Sequence, residues 1–362
     1  MSEIKLHNIC KRYGDKSIIE DLNLTVEDGS FTVLLGPSGC GKSTTLRMVA
    51  GLEQPSDGKI LIGGDDMADI EPGKRGIAMV FQNYALYPTM TVRKNIEYGL
   101  KNNHIPKTER EQLIEEVIEL VDLKEHIDKK PQFLSGGERQ RVALARAMVK
   151  KPRVFLMDEP LSNLDAKLRS QIRNDLIELH QRLQTTFLYV THDQVEAMSM
   201  GTKIVLMNSG KIMQEDTPHG IYHHPSNVFT SKFIGSPPMS FIEICDLADV
   251  NINLPENTLT IGVRPENVKI DITGNYDKDT VINSVCRLKG QIISFELLGA
   301  EILFSILLAS GNKVTVKQYV EASDERFNPD SLRERTKDSE VNLFINPKHF
   351  HFFDSNGALI KA

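Results

Sequence analysis

A chain of 362 residues exceeds what one hydrophobic core usually serves, so two domains are expected. The composition, 40% apolar and 25% charged, is ordinary for a globular protein, and apolar runs such as Phe31–Leu35 and Val154–Met157 are strand-sized, far short of a bilayer span. A net charge of −6 lacks the basic footprint of a nucleic-acid binder, so DNA and RNA are not expected partners.

The opening Met-Ser-Glu-Ile-Lys has neither the basic start nor the apolar core of a secretory leader, which predicts a chain that stays in the cytosol. Cys10, Cys40, Cys245 and Cys286 are scattered, without a C-x-x-C pair or nearby histidines at metal-ligand spacing, and read as reduced, unpaired thiols. From Ile4 to about Ile234, strand-like runs alternate with helical patterns and glycine-rich turns, which predicts a mixed α/β domain around a largely parallel sheet.

The apolar strand Phe31–Leu35 leads into Gly36-Pro37-Ser38-Gly39-Cys40-Gly41-Lys42-Ser43, and a helix runs from Thr44 to about Ala50. This is the phosphate-binding G-x-x-x-x-G-K-S loop in its required strand–loop–helix setting. Its glycines let backbone N–H groups turn inward around phosphate oxygens, the helix N-terminus adds partial positive charge, Lys42 reaches the outer phosphates, and Ser43 is placed to hold Mg²⁺.

Residues 105–130 are helical in pattern, with Leu113, Ile114, Val117, Ile118, Leu120 and Val121 forming an apolar stripe. Leu134-Ser135-Gly136-Gly137-Glu138 opens a further helix, to about Lys150, with Ser135 and Glu138 at capping-box spacing. Two glycines at a helix start weaken it by about 1 kcal/mol each, a cost that makes sense where something must approach the backbone closely, and a phosphate fits such a place.

Val154–Met157 reads as a buried parallel strand delivering Asp158 and Glu159 at its C-terminal edge, where sheets of this kind bind ligands. Asp158 suits the Mg²⁺ hydration shell, and Glu159 can polarise an attacking water. A further apolar strand, Thr186–Val190, ends in Thr191-His192-Asp193 and brings an imidazole to the same edge.

In Gly235-Ser-Pro-Pro-Met239 the two prolines can continue neither a helix nor a central strand, so a linker and a domain boundary are expected near Ser236. Beyond it, short β-forming runs (Ile261–Val263, Gln291–Leu297, Glu301–Leu308, Lys313–Lys317 and Val341–Ile345) predict a small all-β domain.

With these motifs in this order, the whole chain resembles the ABC ATPases, whose defining element is an L-S-G-G-Q signature between the phosphate loop and the D-E strand. It is most similar to the sugar-importer group (maltose, multiple-sugar and glycerol-3-phosphate), on Ser162-Asn-Leu-Asp-Ala-Lys-Leu-Arg169 and Phe233-Ile-Gly-Ser-Pro-Pro-Met239. Glu138 departs from the commoner glutamine.

The resemblance implies a P-loop NTPase domain over 1–235 with an inserted helical subdomain at about 83–133, and an OB-like, TOBE-type domain over 236–362. It implies that Tyr13 stacks on adenine, Gln82 is the Q-loop ligand of Mg²⁺, Asp165 closes the D-loop, and His192 is the switch histidine touching the γ-phosphate. It further implies that Ser135, Gly136, Gly137 and Glu138 meet the ATP of a second subunit, in a homodimer or a pair with a similar chain. The helical subdomain would dock on a membrane permease served by an extracytoplasmic solute-binding protein, with Tyr84, Leu86 and Tyr87 either exposed contacts for it or ordinary core packing. That puts the chain at the cytoplasmic face of the membrane. The weaker alternatives are the same role for polyamines or inorganic ions and, more distantly, a non-transport ABC ATPase.

Overall fold

The computed structural model describes residues 3–247, 254–272, 286–320 and 339–360. It divides into two compact units, Met1–Gly220 and Ile221–Ala362.

The first unit begins with two long strands, β1 (Ile4–Tyr13) and β2 (Lys16–Val26), followed by β3 (Phe31–Leu35), α1 (Lys42–Ala50), β4 (Asp57–Ile62), β5 (Asp65–Asp66) and β6 (Ile77–Val80). A helical stretch follows, with α2 (Val92–Asn102), α3 (Lys107–Leu120) and α4 (Gly136–Met148). The chain then returns to the sheet through β7 (Val154–Asp158), α5 (Ala166–Leu183), β8 (Thr186–Thr191), α6 (Gln194–Met200), β9 (Lys203–Asn208) and β10 (Lys211–Asp216).

Two sheets result. One is antiparallel in the order β2-β1-β4-β5, the other runs β10-β9-β3-β8-β7-β6 and is parallel except for β10. Strands β3, β7 and β8 are buried along their whole length, which is why they read as unbroken apolar runs. Because they are parallel and in register, with Leu35 opposite Thr191 and Asp158 opposite Val190, their C-terminal ends share one edge. The antiparallel sheet was not foreseen separately, because its half-buried strands alternate like any surface strand.

The expected helix over 105–130 is shorter. It stops at Leu120, Asp122 adopts a left-handed φ of 52°, and only a 3₁₀ turn follows at Lys124–His126. Leu120, read as part of the apolar stripe, is exposed, whereas Ile114, Val117 and Ile118 are buried. Of the candidate contacts Tyr84 takes the packing alternative: it is 7% exposed, and Arg146 holds its carbonyl and that of Ala85 at 2.9 and 2.6 Å. Tyr87 is 37% exposed and packs on Tyr98.

The second unit takes in helices α7 (Pro218–His223), from Ile221 onward, and α8 (Val228–Phe233). Its strands are β11 (Ser240–Glu243), β12 (Thr260–Val263), β13 (Val268–Asp271), β14 (Cys286–Leu298), β15 (Glu301–Leu308), β16 (Lys313–Tyr319), β17 (Glu340–Ile345) and β18 (His351–Phe353). They form antiparallel sheets in the orders β11-β12-β18 and β13-β17-β14-β15-β16 around an apolar core that includes Phe304, Val316 and Leu343. The fold is OB-like.

The compact division falls ahead of the proline-marked linker, and a buried guanidinium explains it. Arg264 donates to the carbonyls of Tyr222 (2.7 Å) and Ile234 and lies 4.1 Å over the Tyr222 ring, so the segment around α8 belongs with the β-rich unit. The four cysteines are free thiols, as read.

Candidate nucleotide site

The phosphate loop is shaped by its glycines. Gly36 has φ 153°, and a Cβ there would lie 2.2 Å from the Met207 carbonyl oxygen; Gly41 caps α1 at φ 106°. Lys42 is buried, and its Nζ donates to the carbonyls of Gly36 (2.8 Å) and Pro37 (2.9 Å) and lies 3.7 Å from the Cys40 sulfur. Burial pushes the Cys40 thiol above its ordinary value, against the opposing charge of Lys42. Ser38, Gly39 and Thr44 complete the loop and the first turn of α1.

Ser43 Oγ donates to Asp158 Oδ1 at 2.6 Å, joining the start of α1 to the end of β7. A hydroxyl and a carboxylate oxygen this close form a hard-oxygen pair of the kind Mg²⁺ takes alongside phosphate oxygens. The guanidinium of Arg47 stands 3.9 Å from the other carboxylate oxygen.

Glu159 follows with a left-handed φ of 44°, its N–H donating to the Val190 carbonyl at 3.0 Å. Its Oε2 accepts from His192 Nδ1 at 3.1 Å, so the two polar groups delivered by neighbouring strands meet. Gln82 Nε2 donates to Ser162 Oγ (3.2 Å), which donates to the Glu159 carbonyl (2.9 Å), and Asn163 Nδ2 donates to the Gln82 carbonyl (2.9 Å). Asp165 caps α5 by accepting from the Leu168 N–H at 3.0 Å.

Two functional candidates were missed in the sequence. Glu196 is a buried acid behind His192, accepting from the Tyr189 hydroxyl (2.8 Å) and the Thr191 hydroxyl (2.7 Å). Thr191 Oγ1 in turn accepts from the Asp193 N–H at 3.0 Å and so fixes the turn that carries His192. The available signal was an acid three residues past the helix-capping Asp193. The other is His126, whose Nε2 lies 3.0 Å from Glu138 Oε1; nothing in the sequence pattern around it pointed there.

Ser135 and Glu138 form the expected capping box at the start of α4. The glycines between them also have a reason within the chain: a Cβ on Gly136 would lie 2.9 Å from Leu164 Cδ2, and one on Gly137 2.6 Å from Leu168 Cδ1. Tyr13 stands apart from these contacts on β1, half exposed, its hydroxyl donating to Glu53 and its ring 4.8 Å from Lys11 Nζ. No helix among the described residues is long and apolar enough to cross a membrane.

Comparison with known proteins agrees with this geometry. The ABC transporter family profile matches residues 19–162 and the TOBE domain profile residues 261–353. The oligosaccharides import ATP-binding protein MsmX of Bacillus subtilis is 44% identical over 98% of this chain and 98% of its own. The sn-glycerol-3-phosphate import ATP-binding protein UgpC 2 of Rhizobium johnstonii is 50% identical over 76% of this chain and 80% of its own. Among solved structures, the dimeric post-hydrolysis state of the ATP-binding cassette MJ0796, bound to ADP and Pi, is 31% identical with a TM-score of 0.54, covering 59% of this chain and 98% of that one. A phosphate loop, a carboxylate pair and a signature helix, in a sequence shared with an import ATP-binding protein along nearly the whole chain, place it in one family: the chain belongs to the ATP-binding proteins of ABC transporters.

Proposed function

We propose that this chain hydrolyses ATP to drive import of sugars or glycerol-phosphate-like solutes through a membrane permease. The observation that carries the catalytic reading is the meeting of Glu159 and His192 beside the Ser43–Asp158 pair at one sheet edge. In this reading residues 1–235 act as the nucleotide-binding domain, with about 83–133 as the part that docks on the permease. Residues 236–362 associate subunits and regulate them.

Tyr13 stacks on the adenine, the amides from Gly36 to Thr44 wrap the phosphates, and Lys42 exchanges its carbonyl partners for phosphate oxygens. Ser43, Asp158 and Gln82 would hold Mg²⁺, which neutralises phosphate charge when bound. Glu159 orients a water and accepts its proton as the water oxygen bonds to the γ-phosphorus, the bond to the β–γ bridging oxygen breaks, and ADP and phosphate leave. His192, oriented by Glu159, meets the γ-phosphate. Ser135, Gly136, Gly137, Glu138 and Asp165 complete the site of a second subunit, in a homodimer or with a similar chain, head to tail.

The sugar or glycerol-phosphate class is supported by import proteins for oligosaccharides, glycerol-3-phosphate and, in Mannheimia succiniciproducens, maltose/maltodextrin, the last 47% identical over 74% of this chain. The test is to reconstitute the chain with the permease and extracytoplasmic binding protein that co-purify with it, and to measure ATP hydrolysis against sugars, glycerol phosphates, polyamines and oxyanions. Stimulation by a sugar or glycerol phosphate is the expected result. Stimulation only by a polyamine or oxyanion overturns the cargo, and absence of any membrane partner overturns the transport role.

A further inference from the structure

Glu138, the signature residue that departs from the commoner glutamine, sits in a run of polar contacts that begins outside its own helix. Its Oε2 accepts the Ser135 N–H at 2.6 Å, and its Oε1 lies 3.0 Å from His126 Nε2. The other ring nitrogen of His126, Nδ1, lies 2.9 Å from Lys129 Nζ. An ammonium has only donors, so Nδ1 accepts and the ring proton sits on Nε2, pointing at Glu138. The donors therefore run one way, from Lys129 to His126 to Glu138, where the carboxylate closes on the signature backbone.

The segment carrying His126 and Lys129 is fastened to the start of α2. The Val92 N–H donates to the Lys129 carbonyl at 2.8 Å, and the Arg93 N–H to the Ile127 carbonyl at 2.9 Å. On the same helix Tyr98 packs against exposed Tyr87, 4.6 Å between ring centres. Hydrogen-bonded groups thus run from the start of α2 to the Ser135 amide, and the carboxylate at position 138 is the last of them. A carboxylate is a stronger acceptor than an amide oxygen.

We infer that His126 and Lys129 are positioning residues for the signature, holding Glu138 so that the helical segment around α2 governs how readily Ser135 and the glycines receive a second subunit's ATP. The inference deepens the head-to-tail reading above and rests on it. Glu138 occupies the Ser135 N–H, so an incoming phosphate must share that donor or displace the carboxylate, and His126 is placed to keep hold of the carboxylate when it moves.

The test uses the full chain carrying Glu159→Gln, with a fluorescent ATP analogue to read binding to single chains and sedimentation to read ATP-driven dimerisation. His126→Ala is expected to leave analogue affinity within about twofold and to weaken dimerisation roughly tenfold, the size expected for losing one bond to a charged group. His126→Gln is expected to restore most of it, because an amide nitrogen can donate to Glu138 while its oxygen accepts from Lys129. In a Glu138→Ala background His126→Ala should add nothing. An equal loss with and without the Glu138 carboxylate, or a His126→Gln chain as defective as His126→Ala, overturns the inference while leaving the proposed function standing. A parent chain that binds the analogue yet dimerises neither with itself nor with a similar chain that co-purifies with it overturns the inference together with the head-to-tail reading on which it rests.

Discussion

Glu159 Oε2 lies 3.1 Å from His192 Nδ1, and the contact depends on backbone geometry at both residues. Glu159 is held at φ 44° by its bond to the Val190 carbonyl, while the turn at His192 is held by the Thr191 hydroxyl. A non-glycine residue in this region costs of order 1 kcal/mol or more and persists only where its surroundings demand it. Glu159→Gln preserves shape and the hydrogen bond but removes the proton acceptor. Hydrolysis should fall by about 10²- to 10⁴-fold, the usual share of a general base, with ATP binding intact. Turnover near the wild-type rate would remove Glu159 from the chemistry.

Lys42 holds two carbonyls that cannot release it without a replacement acceptor, and a phosphate supplies one. Lys42→Ala should weaken ATP binding by roughly 10- to 100-fold, as expected for charge-assisted bonds, with little change in the binding of adenosine. Equilibrium titration with both ligands checks this. A parallel loss for adenosine would mean that the loop had collapsed rather than lost a phosphate contact.

The parts of this site that were legible in the sequence are those built from contiguous residues. The phosphate loop, the strand ending in Asp158-Glu159 and the capping box each write their geometry into a short run, and β3, β7 and β8 are buried on both faces and so read without ambiguity. What was illegible depends on pairings across the chain. Nothing local to Gly136 and Gly137 tells of Leu164 and Leu168, and nothing local to His126 tells of Glu138. Nothing local to Tyr84 decides between surface contact and core packing, but Arg146, 62 residues on, anchors its carbonyl and the ring is buried.

Glu196 makes the site's surroundings sensitive to pH. Burial chiefly pushes its carboxyl above the ordinary 4.5, with the charge of Asp193 adding to this and the Thr191 and Tyr189 hydroxyls and Arg169 opposing. A carboxyl raised in the folded state contributes stability that is fully present below its unfolded value and is lost as pH rises through the folded value. Glu196→Gln, always neutral, should therefore gain in melting temperature relative to wild type as pH is raised from 4.5 toward 8. Thermal unfolding of both chains across that range measures it, and a constant difference would mean that Glu196 titrates as it does in the unfolded chain.

Arg264 supplies the same kind of test for the β-rich unit. It is 2% exposed, donates to the carbonyls of Tyr222 and Ile234, and stacks on the Tyr222 ring, whose hydroxyl donates to Glu266 at 2.7 Å. Arg264→Ala takes a charged donor from the buried Ile234 carbonyl and the half-buried Tyr222 carbonyl and leaves the ring without its cover, so destabilisation of about 3 kcal/mol or more is expected. Arg264→Lys should recover only part of it, because a lysine keeps the charge but has neither the flat face for the ring nor the fork that reaches both carbonyls. Denaturant unfolding followed by a probe in residues 221–362 reads the loss directly, and nucleotide binding by the folded chain should stay unchanged, since every partner of Arg264 named here lies within Ile221–Ala362. If Arg264→Lys proved as stable as wild type, the guanidinium's geometry would be irrelevant and its charge alone would account for the residue.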